Sequence, residues 1–371
     1  MAANIRSLTA LRGLAALTVL TYHCAEQLFG GFEQVPLPLR HGYLAVDLFF
    51  LLSGFVLMHV HEAAFANGVA WANVKSFLRA RFARIYPVHF AILILLLPFY
   101  GMRPEYSGLA LVYSLLLAQA PWLGEICWNI PAWSISAEWH AYLLFPFLVM
   151  PWLKRSKRAV IVLLLLCLVT LSLAVIAWGN SANIYYTPAV LLRSLPEFIA
   201  GMGIYRVYRE GWLRKWMASD CVVVAAAVVV VGLASFPGSD IAVIASLALL
   251  LLACAHNRGI ATRLLTTRMP MYLGRISYSL YMVNTISVIA ALSIASPWHG
   301  SHTASSAIAA VATLVLSFTL AIPMSRYVEY PMRDWLRGRA VKPPPASIHM
   351  LAAIDGEGRA GDEAALVGNQ K

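Results

Sequence analysis

The sequence predicts an all-α, polytopic membrane protein. Composition, recurring apolar runs and the placement of charge carry that expectation. Of 371 residues, 60% are hydrophobic and 12% are charged, against roughly 25% charged in a soluble domain. So little polar surface cannot cover a globule of this size. That excludes a water-soluble enzyme, and equally a disordered or collagen-like chain. Apolar runs approaching the ~20 residues that cross a bilayer recur along the chain. The net charge of +11 is concentrated between those runs, as in cytoplasmic loops, so the basic excess is not read as nucleic-acid binding.

Leu8–Phe29 is the first run. Arg6 and Arg12 ahead of it imitate a signal peptide, but no A-x-A-like site follows. His23 also stands before Cys24, where a lipoprotein cleavage site wants a small residue. The segment is therefore read as a retained span. Further runs follow at Tyr43–His61, Ile85–Tyr100, Leu109–Leu123, Trp133–Leu153, Ala159–Trp178, Thr187–Tyr208, Val222–Phe236, Ile241–Ala255, Met271–Ser296 and Ser305–Met324. The two around residue 240 are short and joined by Pro237-Gly238-Ser239-Asp240, which reads as an outer hairpin. Basic clusters lie at Arg6/Arg12, Lys75–Arg84, Lys154–Arg158, Arg206–Lys215, Arg258–Arg268 and Arg326–Lys342. They share one face if every run crosses except Leu109–Leu123. That segment is then re-entrant or peripheral, leaving about ten spans with both termini cytoplasmic. Eleven spans would put Lys154–Arg158 outside.

Pro343-Pro344-Pro345 opens a polar tail that is expected to be disordered. The expected organisation is a membrane domain over residues 1–340 and a cytoplasmic tail over 341–371. No tandem or inverted half-repeat is visible, which weighs against common secondary-transporter folds. Cys24, Cys127, Cys167, Cys221 and Cys254 show no zinc-ligand spacing and read as small buried hydrophobes. A Cys24–Cys127 disulfide has only a shared outer side in its favour.

Ionisable residues inside spans are costly and mark candidate sites. Arg12 and His23 are eleven residues apart, which returns to within roughly 20° of one helix face and separates them by about 16 Å along the axis. Arg12 suits a phosphate or carboxylate at the cytoplasmic mouth; His23, deep in the bilayer, suits proton transfer. The plain alternative is a snorkelling Arg and a hydrogen-bonded core His. Asp47 opens the second span, either capping it or orienting His23. Arg81 and Arg84 are helical neighbours if that stretch is helical, fit for a phosphate-rich ligand or serving as ordinary inside charge. Trp133, Ser134, Ser136 and Glu138 open the fifth span, as an interfacial belt or as a sugar-stacking platform with Glu138 near the acceptor. Arg193 and Glu197 read as an internal ion pair. Glu329 reads as a solvated span end beside Arg326 and Arg333. Gly201-x-Gly203 reads as helix packing.

At these residues the chain resembles the acyltransferase-3 family of bacterial membrane acyltransferases, over about Ile5 to Trp335. Arg12 through His23 is similar to the family's opening Arg-x10-His motif. Val46–Phe55 resembles V-D-L-F-F-x-L-S-G-F, and Arg81–Pro87 resembles R-x-x-R-I-x-P. Trp133–Glu138 is similar to W-S-L-S-x-E. Leu273–Tyr281 and Glu329-Tyr330-Pro331 resemble two later motifs. Together, in the right order, these motifs are specific. The resemblance implies O-acyl transfer, usually of acetyl from cytoplasmic acetyl-CoA to an extracytoplasmic sugar. His23 would be catalytic with Arg12 its partner near the donor, and Arg81 and Arg84 would bind the CoA phosphates. Many members carry His where this chain has Asn284; Asn is no base at neutral pH, so the chemistry falls on His23.

The expectation is then a stand-alone O-acetyltransferase of the inner membrane, acting on a surface or exported polysaccharide or its lipid-linked precursor. Asp47 and Glu138 are taken with His23 and Arg12 as catalytic candidates. Trp133, Ser136 and Arg193 are taken as substrate contacts. No metal is expected. The chain acylates its acceptor directly or passes the acyl group to a separate extracytoplasmic protein; direct transfer and an acyl-enzyme both stay open. The alternatives are a small secondary-metabolite acceptor such as a macrolide, a succinyl donor, or a proton-coupled transporter.

Overall fold

The computed structural model describes residues 5–100, 108–122, 128–179, 181–184, 187–296 and 302–338. Regular structure there is entirely helical, as the composition demands: α1 (Arg6–Phe29), α2 (Ala45–Phe65), α3 (Trp71–Tyr100), α4 (Gly108–Leu115), α5 (Gln119–Trp122), α6 (Ala132–Lys154), α7 (Lys157–Ala177), α8 (Val190–Arg209), α9 (Arg214–Met217), α10 (Asp220–Leu233), α11 (Asp240–His256), α12 (Ile260–Leu265), α13 (Arg268–Met282), α14 (Asn284–Ala295), α15 (His302–Pro323) and α16 (Tyr330–Leu336). The tail at 341–371 and Cys127 lie outside the described residues.

Two crossings bring the site elements together. α1 packs on α13 and α2 packs on α8. At the first, Gly13 faces the backbone of Leu273 and Gly274; at the second, Gly54 faces Phe198 and Gly201 faces Leu51. A Cβ at any of these glycines would overlap facing backbone. Small residues let helices approach closely where lipid, being as apolar as the side chains, supplies no hydrophobic drive. One buried cluster runs continuously through α1, α2, α3, α6, α8, α11 and α13.

The outer shell matches a bilayer. On α7, Ile161, Val162, Leu165, Leu166, Val169, Leu173 and Ile176 are exposed, and the 21-residue helix is long and apolar enough to cross a membrane. Ser156 caps the N-terminus of α7, its hydroxyl accepting the Ala159 N–H.

Helix length and composition account for part of the expected spans. Among the described residues four helices are long and apolar enough to cross a membrane, Leu39–Phe65, Trp71–Phe99, Lys157–Ala177 and Thr303–Leu336, with a fifth if α13 and α14 count as one broken span. Length and composition therefore do not by themselves reach ten. The Met271–Ser296 run is not one helix: α13 and α14 bend by 69° at Val283. Asn129 Nδ2 donates to the Met282 carbonyl at 3.1 Å, satisfying an acceptor at the break. The basic stretch Lys75–Pro87 is not a loop but the first half of α3, with Pro87 inside the helix. The Leu109–Leu123 run divides into α4 and α5 around Leu117, at φ 56°. Helices of 8 and 4 residues reach about 12 Å and 6 Å at 1.5 Å per residue, far short of a ~30 Å hydrocarbon core. The short hairpin appears as read, with α10 and α11 packed together and Gly238 at φ 72° in the turn.

Candidate active site

The helical spacing of α1 builds the first cluster. Residues three and four apart are neighbours on a helix, so Glu26 meets both His23 and Tyr22. His23 Nδ1 lies 2.7 Å from Glu26 Oε2, and the Tyr22 hydroxyl donates to Glu26 Oε1 at 2.8 Å. A carboxylate only accepts, so the contact puts a ring proton on Nδ1; in the neutral ring Nε2 then carries the lone pair. The two side chains are 29% and 27% exposed, which leaves the imidazole open to a substrate. Arg12 is half-buried three turns back on α1, at the cytoplasmic end that the charge pattern assigns. Glu26 escaped the sequence reading; its i+3 spacing from His23 was the available signal.

Beside this dyad lies a cavity of about 130 Å³ lined by Phe32, Arg40, His41, Tyr43, Ser181 and Asp240, among others. The rings of Phe32 and Tyr43 stand 6.4 and 6.3 Å from that of Tyr22, whose centroid is 4.8 Å from His23. Tyr43 donates to Asp240 Oδ2 at 2.6 Å, and His41 Nε2 lies 3.3 Å from Asp240 Oδ1. Aromatic faces with fixed polar groups suit a hydroxyl-bearing ring. Asp240 comes from α11, far along the chain, and no sequence pattern tied it to His23.

Asp47 does not orient His23, and Arg193 is not committed to Glu197. Arg193 Nε and Nη2 donate to Asp47 Oδ1 and Oδ2 at 2.8 and 2.7 Å. This bidentate pair joins α8 to α2 and is closed to solvent, at 1% and 0% exposure. The guanidinium also lies 5.0 Å from the centroid of Trp133, and Trp133 packs on Phe50. Both expected sugar contacts, Trp133 and Arg193, are thus used inside the bundle. Breaking such a pair costs about 3–5 kcal/mol, because the remaining charge stays buried. Ser136 is fully buried too: its hydroxyl donates to the Leu117 carbonyl at 2.8 Å and accepts from Ala120 N at 3.3 Å. It ties the α4–α5 junction to α6 rather than facing an acceptor.

Glu138 stands elsewhere, half-buried at the centre of the bundle. Ser53 of α2 donates to its Oε1, and Tyr142, one turn on, feels the charges of Glu138, Arg81 and Arg84. Arg81 and Arg84 are one helical turn apart on α3, as their spacing required if helical. Arg84 pairs with Glu329, which is 1% exposed and accepts a second bond from Ser279 at 2.6 Å. Glu329 is therefore no solvated end but the buried partner of Arg84. It sits on a π-helical turn, Met324–Glu329. Pro331 lacks an N–H and crowds the carbonyl four residues back, which favours that widened turn; such turns recur at functional sites. Tyr278 lies under Arg84, 5.5 Å from guanidinium carbon to ring centroid, and donates to the Ile85 carbonyl.

The arrangement has two floors. An open His–Glu dyad stands on one helix, and a carboxylate–arginine centre of Glu138, Arg81, Arg84 and Glu329 stands where α2, α3, α6, α13 and the π turn meet. A family model described as an acyltransferase domain matches residues 5–326. The chain belongs to the acyltransferase-3 family. It is similar to acyltransferase MdmB of Streptomyces mycarofaciens, 30% identical in an alignment 394 positions long that covers 93% of this chain and 96% of that one. It is also similar to protein 2 in the picA locus of Rhizobium radiobacter, 36% identical over 152 residues, 35% of this chain and 75% of that one. No solved structure matches it. The protein is an acyltransferase, and family membership displaces the transporter reading.

Proposed function

We propose that this acyltransferase moves an acetyl group from cytoplasmic acetyl-CoA to a hydroxyl of a surface or exported polysaccharide, or its lipid-linked precursor. The observation that carries the reading is the His23–Glu26 contact, 2.7 Å long on a ring that remains open. Glu26 holds the imidazole with Nε2 as proton acceptor, the role a carboxylate plays behind a catalytic His. His23 Nε2 takes the acceptor hydroxyl's proton as its oxygen forms a bond to the thioester carbonyl carbon. The carbon–sulfur bond then breaks, and the CoA sulfur leaves with that proton. The products are an ester and CoA thiol.

Arg12, Arg81 and Arg84 form the donor side, lying toward the cytoplasmic end of α1 and α3 under the charge-based topology. Glu138, tethered by Ser53, belongs to the same centre as the donor arginines. The cavity at Phe32, Tyr43 and Asp240 gives the acceptor ring a seat beside His23. That seat is small, about 130 Å³; it fits one ring, and this favours as second reading a compact acceptor such as a macrolide sugar. We place the protein in the cytoplasmic membrane of a bacterial cell with about ten spans and both ends inside. A separate extracytoplasmic acyl-handling protein is needed only if transfer is relayed.

The test is thiol release from acetyl-CoA by the purified protein with envelope glycans present. Wild type should release CoA and His23→Ala should not. Equal release by both removes His23 from the chemistry. A macrolide acylated in place of glycan selects the second reading.

A further inference from the structure

A second cavity lies away from His23, at the start of α3. It has a volume of about 260 Å³ and is lined by Lys75, Ser76, Arg79, Ala80 and Arg337. Three of those five side chains are cationic and none is acidic. Lys75, Ser76 and Arg79 are exposed on the first turns of α3, while Arg337 is buried at the end of α16. The position of Arg337 is fixed: its Nη2 donates to the Ala80 carbonyl at 3.3 Å. Gly338, at φ 71°, then turns the chain close against the Arg79 guanidinium. The walls thus come from the two cytoplasmic helix ends, α3 and α16, which pack on each other.

Cations converging on one cavity repel one another until an anion neutralises them. Arg donors in a fork and a Ser hydroxyl match a phosphate. A phosphate monoester carries close to two charges, whereas a lipid phosphodiester carries one, so the exposed cations Lys75 and Arg79 match the monoester. The position adds a direction. Arg79 lies five residues before Arg84 on α3, about 7.5 Å nearer the mouth, and Arg84 is already paired with Glu329. A donor threaded thioester-first toward His23 leaves its opposite end at the mouth. In acetyl-CoA that end is the 3′-phosphate on the adenosine ribose.

Resting on the acetyl-CoA reading above, we infer that Lys75, Ser76, Arg79 and Arg337 form a separate subsite for the donor's 3′-phosphate, beyond the Arg81/Arg84 pair. It makes the enzyme distinguish CoA from 3′-dephospho-CoA.

The experiment uses the full chain in phosphatidylcholine nanodiscs. Thiol release is compared for acetyl-CoA and acetyl-3′-dephospho-CoA, and calorimetry compares adenosine 3′,5′-bisphosphate with AMP. Wild type should show a KM about tenfold lower for acetyl-CoA, the size of one charge-assisted contact, and the same preference for the bisphosphate. In Lys75→Gln/Arg79→Gln both ratios should fall to about one. Arg79→Glu should invert them. These positions are exposed, so the thermal midpoint should stay at the wild-type value. Equal KM for both donors in wild type, or a ratio that survives the substitutions, overturns the inference. So does a cluster whose substitution changes only the response to added phosphatidylglycerol, which would make it a lipid site. Bisphosphate discrimination without transfer from either donor would keep the subsite and sink the acetyl-CoA reading.

Discussion

Two acid–base pairs in this molecule share a contact distance and differ in everything else. His23–Glu26 and Arg193–Asp47 each close at 2.7 Å. The first joins residues three apart on α1 and is more than a quarter exposed on both sides. The second joins residues 146 apart in sequence and is sealed at 1% and 0%. A buried bidentate pair is closed to solvent and to any ligand, so it fixes α2 against α8. An open pair with one unengaged ring nitrogen can exchange a proton with a ligand. Burial, more than the identity of the charges, separates the chemical pair from the architectural one.

That contrast predicts opposite mutational signatures. His23→Ala should lower the transfer rate about 10²- to 10⁴-fold, the usual yield of general base catalysis, with an unchanged thermal midpoint in detergent; thiol release and a melting curve on one sample check both. Asp47→Asn should do the reverse, destabilising the fold by about 3–5 kcal/mol while the molecules that remain folded turn over normally. Replacing both Asp47 and Arg193 with apolar residues should recover part of that loss, since neither partner is then left as a lone buried charge. A double variant less stable than either single one would break the comparison. Glu26→Gln should cost about 10- to 100-fold in rate, as expected for a charge-assisted hydrogen bond worth ~1.5–3 kcal/mol, again without loss of stability. Ser53→Ala should be the mildest, near 1 kcal/mol for one hydrogen bond, read as a few-fold change in kcat/KM. An effect as large as that of His23→Ala would move Glu138 into the chemical step.

The sequence made local geometry legible and distant pairing illegible. The Arg12–His23 track and the Arg81/Arg84 turn follow from helical periodicity, and the family motifs gave acyl transfer. The same rule reaches Glu26 from His23, although motif matching passes over it. Arg84 meets Glu329 across 245 positions and Asp47 meets Arg193 across 146; no period reports such contacts, and both carboxylates were assigned other roles. Trp133 and Ser136 look like belt and platform residues in one dimension. Only packing shows that one stacks on Arg193 and the other anchors Leu117. Hydropathy likewise ran through Val283, because apolar composition does not record a bend whose buried Met282 carbonyl is met by Asn129.

The central claim is that His23 and Glu26 act as one unit while Asp47 and Arg193 stand apart from the chemistry. A double-mutant cycle on acyl transfer tests it most directly. If the account holds, His23→Ala/Glu26→Gln will be no slower than His23→Ala alone, because Glu26 acts only through the ring. If the two losses multiply instead, Glu26 works independently of His23 and the dyad is not the catalytic unit.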